Sequence, residues 1–121
     1  MINCIFVGIG GFVGSVLRYL VGLIKLNDSF VFPIKTLCVN VIGAFLIGMI
    51  TALCLKGWDA DPKLILMLKV GVCGGFTTFS TFAFESVQLF SGGRTGIAIL
   101  YIGLSVVLSV GAVLLAESII A

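Results

Sequence analysis

Apolar residues in this chain come in four long runs, at 4–24, 34–55, 64–90 and 96–120, and polar residues separate them in three short breaks. Each run is long enough to cross the ~30 Å hydrocarbon core of a bilayer as a helix rising about 1.5 Å per residue. The breaks carry both prolines and most of the charge: KLNDSFVFPIK at 25–35, KGWDADPK at 56–63 and SGGR at 91–94. The pattern predicts an all-α membrane protein with four transmembrane helices in a single domain over residues 1–121. A cleaved leader is not expected in the first run, which lacks a basic n-region and an Ala-x-Ala site.

Composition sharpens this reading. Hydrophobic residues make up 60% of the chain and charged residues 10%, with a mean hydropathy of +1.33. A soluble domain carries about 25% charged residues, so there is too little polar surface here to cover a globule in water. A net charge of +2 with no basic block argues against a nucleic-acid partner. There is no His, and Cys4, Cys38, Cys54 and Cys73 are scattered without Cys-x-x-Cys spacing, so a zinc or haem site has almost no donors. The cysteines read as small apolar fillers.

Orientation is undecided by charge. Lys56, Lys63 and Lys69 fall toward one side, while Lys25, Lys35, Arg94 and the snorkelling Arg18 fall toward the other. Such a balance gives no positive-inside bias. It fits a weak signal resolved elsewhere, and it equally fits a chain that inserts both ways and pairs with its inverted copy, since inverted repeats build transport sites.

Polar residues inside the runs mark candidate chemistry. The first run holds Gly10-x-x-x-Gly14, a close-packing spacing, and Arg18, whose charge needs snorkelling, an anion or an anchoring contact. In the second, Thr36 and Asn40 share one helical face, and the amide needs a partner in protein or water. In the fourth, Tyr101, Ser105 and Ser109 recur every four residues as a polar stripe. The third run contains GVCGGFTTFSTFAFE at 71–85. Gly71, Gly74 and Gly75 each weaken a helix by roughly 1 kcal/mol relative to Ala, and Thr77, Thr78, Ser80 and Thr81 offer hydroxyls to backbone that has left it. A broken third helix is expected. Unwound backbone at this depth must be buried or beside water, where its carbonyls can hold a cation such as Na⁺. Phe79 and Phe82, three apart, would present their rings together; aromatic packing explains that, and so does edge-on contact with an anion.

Four stretches together, GGFVGSVLRY at 10–19, TLCVNVIG at 36–43, the 71–85 motif and the Tyr101/Ser105/Ser109 register, resemble the Fluc (CrcB) family of fluoride channels. The resemblance covers all four runs in order. It implies an antiparallel, dual-topology homodimer with two pores, passing F⁻ passively out of the cell across the plasma (inner) membrane as a multi-pass protein in the lipid bilayer. It further implies a central structural Na⁺ held with the partner subunit by the backbone carbonyls of Gly74 and Thr77. Ring edges of Phe79 and Phe82 would meet fluoride, with Asn40 as a pore-lining amide. Tyr101, Ser105 and Ser109 would form a polar track, Thr36 and Thr81 would contribute hydroxyls, and Arg18 would sit at the vestibule.

Physical chemistry agrees with the implied cargo. Fluoride is small and tightly hydrated, so a dry apolar pore excludes it, while a Lys or Arg ring would bind it too firmly for conduction. Neutral amide, hydroxyl and ring-edge donors replace its water gradually. A small multidrug-type exporter, the main alternative, needs a carboxylate within the membrane; the first run has none, and Glu85 and Glu117 lie near run ends. A silent assembly subunit would explain the small residues and leave the Gly-Thr-Phe break unexplained. For an enzyme no nucleophile–base pair is visible.

Overall fold

A computed structural model describes residues 1–26 and 31–121; the middle of the first break, at 27–30, lies outside the described residues. Among these the protein is helical throughout, with α1 (Ile2–Gly22), α2 (Ile34–Leu55), a composite third segment and α6 (Thr95–Ile120). The third segment runs as α3 (Pro62–Leu66), a π-helical stretch (Met67–Cys73), α4 (Gly74–Phe76) and α5 (Phe79–Ser91). Four helical units, Ile2–Gly22, Ile34–Leu55, Pro62–Ser91 and Thr95–Ile120, are long and apolar enough to cross a membrane. Large apolar side chains are exposed along them, among them Phe12, Leu20, Val70, Val107 and Leu114, as lipid contact requires.

The breaks end helices by local chemistry. Gly57 and Gly93 take positive φ (99° and 76°), and the following N–H groups of Trp58 and Arg94 donate back to the carbonyls of Leu53 and Leu89. These are Schellman closures, and glycine occupies the left-handed position without a Cβ penalty. Asp61 caps α3 by accepting from the Lys63 N–H at 2.9 Å, with Pro62 at the first helical position. Lys35 reaches back to donate to the Gly22 carbonyl at 2.9 Å, closing the end of α1.

Two small-residue seams hold the bundle. Along α2 and α6, Gly48 lies against Val113 and Ala116, and Ala52, Ala112 and Ala116 are buried. Along α1 and the third segment, Gly10 and Gly14 face Gly71 and Gly75 so closely that backbones touch. A Cβ on Gly71 would stand 2.7 Å from the Gly10 Cα and 2.8 Å from the Val7 carbonyl oxygen, and one on Gly75 would stand 2.7 Å from the Gly11 carbonyl oxygen. The helix break therefore falls later than the helix-weakening glycines. Gly71, Gly74 and Gly75 remain helical, and Gly71 and Gly75 serve this seam; backbone leaves the helix only at Thr77 (φ −83°, ψ 158°) and Thr78 (φ −150°, ψ 117°).

Gly71→Ala should destabilise the protein by about 1–3 kcal/mol, since backbone on both sides cannot yield. Gly8→Ala, with nothing within 4 Å of the added Cβ, should leave stability unchanged or raise it by up to ~1 kcal/mol. Thermal unfolding in detergent reads both; equal midpoints would mean that the α1 seam is looser than described.

Candidate functional site

Extended backbone at Thr77 and Thr78 strands the polar groups that helix would have paired, and each has a distinct fate. The Asn40 side chain, from α2, takes both groups of Thr78: its Oδ1 accepts from the Thr78 N–H at 2.8 Å and its Nδ2 donates to the Thr78 carbonyl at 3.1 Å. Thr78 in turn caps α5, its Oγ1 accepting from the Thr81 N–H at 3.2 Å and donating to the Thr81 hydroxyl at 3.1 Å. Arg18, from α1, donates its Nε–H to the Gly75 carbonyl at 3.1 Å. Of the roles open to Arg18 in sequence, anchoring the break is one it performs. Thr77 donates its hydroxyl back to the Cys73 carbonyl at 2.8 Å.

Three carbonyls are left over. An intact helix would pair Gly74 with the Thr78 N–H, Phe76 with the Ser80 N–H and Thr77 with the Thr81 N–H; the first and third donors are committed to Asn40 and to Thr78 Oγ1, and the extended backbone at Thr77 and Thr78 parts the second pair. Among the described residues none of the three accepts a backbone hydrogen bond across the break. Gly74 is also exposed, with open space where a Cβ would be.

These elements enclose one apolar groove of about 460 Å³. Asn40, Gly74, Thr77, Phe79, Phe82, Ser105 and Ser109 all line it, so α2, the break and α6 deliver most of the sequence candidates to a single surface. Phe79 lines it and is 69% exposed, its ring centroid 5.5 Å from that of Phe82 at 51°. The Ser105 hydroxyl is buried and has no hydrogen-bond partner among the described residues. It does not bond back to its own helix, which is the usual resting state of a serine in a span.

The remaining candidates lie elsewhere. Arg18, Thr36 and Thr81 line a separate cavity of about 260 Å³ together with Glu85, and Thr78 borders both spaces. Tyr101 is fully buried and lines neither: its ring packs on Phe82 (5.2 Å, 60°) and edge-on to Phe32 (5.5 Å, 84°), and its hydroxyl donates to the Glu85 carboxylate at 2.9 Å. The four-residue register of Tyr101, Ser105 and Ser109 is thus real along α6, yet only the serines reach the groove. Alongside the groove-lining Lys69, Glu85 is one residue that sequence reasoning left out of the site. Its place closing the 71–85 motif, six residues inside the end of α5, was the available signal.

Asn40→Ala should lower thermal stability clearly, because each Thr78 group left unpaired away from water costs about 1–3 kcal/mol. Ser105→Ala should leave it unchanged or slightly raised, since no protein hydrogen bond is lost. Unfolding curves of the two variants in the same detergent test the contrast; equal losses would mean that Ser105 is bonded after all.

Comparison with known proteins bears on this arrangement. The family model described as CrcB-like protein, Camphor Resistance (CrcB), matches residues 5–117. Proteins named fluoride-specific ion channel FluC are similar along almost the whole length. That of Ruminiclostridium cellulolyticum is 45% identical over 119 residues, covering 97% of this chain and 91% of its own. That of Agrobacterium fabrum is 45% identical over 114 residues, 93% and 91% of the two chains, and that of Rhizobium johnstonii 46% over 116 residues, 94% and 92%.

Proposed function

The chain belongs to the CrcB family, and from that membership and its groove we propose that it is a fluoride-specific ion channel, a non-enzymatic membrane protein that lets F⁻ leave the cell passively down its electrochemical gradient and so limits fluoride toxicity. The observation that carries the reading is the convergence of an amide, two serines and two phenyl rings on one groove without a carboxylate among the described residues. A dehydrating anion meets N–H, O–H and positive ring edges in succession there, each weak enough to release it. The unpartnered Ser105 hydroxyl supports this role, because it is a donor with nothing in the subunit to donate to.

The groove is open along one side in the single subunit. In this reading a second, antiparallel copy in the same plasma membrane covers it, giving two pores per dimer. The free Gly74 and Thr77 carbonyls fit a structural Na⁺ at the dimer centre: two neutral oxygens are too few to compensate a buried cation, and a partner's matching pair would complete the set. Such an ion supplies positive charge without a titrating side chain. Asn40, Phe79, Phe82, Ser105 and Ser109 form the conducting surface. Tyr101 holds Phe82 from behind, and Thr36, Thr81 and Arg18 serve the neighbouring cavity as the approach.

Purified protein in liposomes should release trapped fluoride rapidly, followed with a fluoride electrode, while chloride in parallel vesicles stays inside. Absence of fluoride loss from a folded protein would overturn the proposal. Phe79→Ile and Phe82→Ile should each reduce efflux about tenfold or more with assembly retained, on the scale of one lost interaction worth ~1.4 kcal/mol at the barrier. Asn40→Asp should do the same, by placing a negative charge beside the path and by removing the Nδ2–H that the Thr78 carbonyl accepts. Unimpaired efflux in both phenylalanine variants would remove the rings from conduction.

A further inference from the structure

One charged side chain in the groove is used by nothing described so far. Lys69 lies in the π-helical stretch, is half-buried, and lines the same groove as Asn40, Phe79 and Ser109. It is the first of three groove-lining positions spaced by four, with Cys73 and Thr77 following, so it stands roughly 12 Å along the axis from the break. No carboxylate lines the groove among the described residues, and the ammonium is its sole ionic group there. An ammonium facing an apolar groove inside a span needs water, an anion or a partner.

We propose that Lys69 is the electrostatic recruiter of the groove: its ammonium raises the local concentration of small inorganic anions at the mouth, ahead of the neutral donors that pass them on. The inference rests on the fluoride-channel reading. Division of labour follows from distance. A fixed cation at the selectivity surface would trap fluoride, whereas one about two helical turns away attracts without coordinating. Its effect is long-range and screened by salt, while the contributions of the ring edges and hydroxyls are contact interactions that salt leaves alone. Lys69 thus governs how often an anion arrives, and the break governs what passes.

The test is unitary fluoride current of the full chain in planar bilayers at fixed low fluoride, with ionic strength set by an impermeant salt such as potassium isethionate. At low ionic strength Lys69→Gln should lower the current about twofold, the Boltzmann factor for one unit charge acting over ~12 Å of water. Near 1 M salt, where screening falls to ~3 Å, the variant and parent currents should converge. Lys69→Arg should keep the parent current, and Lys69→Glu should fall below Lys69→Gln. A Lys69→Gln current equal to the parent's at low salt overturns the proposal, and so does a deficit that persists unchanged at high salt or is shared by Lys69→Arg, since a packing or interfacial role would produce those. A parent protein that conducts no fluoride would instead fail the channel reading itself, and this inference with it.

Discussion

A polypeptide inside a bilayer has no water to satisfy its backbone, and the exchange of two hydrogen bonds between Asn40 and Thr78 answers that constraint for Thr78, where the third segment unwinds. A carboxamide presents one donor and one acceptor at the spacing of a backbone pair, so Asn40 meets both groups of an extended residue at once. Unwinding at Thr77 and Thr78 therefore costs less than it would with Thr78 unpaired, and α5 restarts with its own threonine cap. Without that exchange two more polar groups of the break would stand unpaired at membrane depth.

The glycine seam makes the rest possible. Contact between α1 and the third segment at Gly10, Gly14, Gly71 and Gly75 brings backbones together, and with them the Arg18 guanidinium to the Gly75 carbonyl. Small residues are the natural means, because lipid offers helices no hydrophobic reason to associate and close packing must supply it. Stability and site geometry are consequently coupled: the seam sets where Arg18 and the break meet.

Electrostatically the groove is built from partial charges, with its one full charge set apart. Neutral dipoles and ring edges near the break offer many shallow contacts, which suits a cargo that must both bind and leave. Glu85, the acid nearest to this apparatus, is held by the Tyr101 hydroxyl on the other side of the aromatic stack, and it borders a different cavity.

Much of this was legible in the residues. Four apolar runs determined four spans because bilayer thickness sets a minimum helix length, and the second was read to its observed limits, Ile34–Leu55. Glycine and threonine density announced a break, and the motifs named the family, since their residue types and separations are specific enough to need no coordinates. Tertiary structure decided what local pattern leaves open. It moved the unwinding past the glycines to Thr77 and Thr78, because helix-weakening residues stay helical where a neighbouring backbone packs against them. It gave Arg18 and Asn40 backbone partners 57 and 38 residues away in sequence. It sent the hydroxyl of Tyr101 to Glu85 and left that of Ser105 in the groove wall without a partner. Periodicity along one helix can say which residues share a face, but what that face meets depends on where the other helices stand.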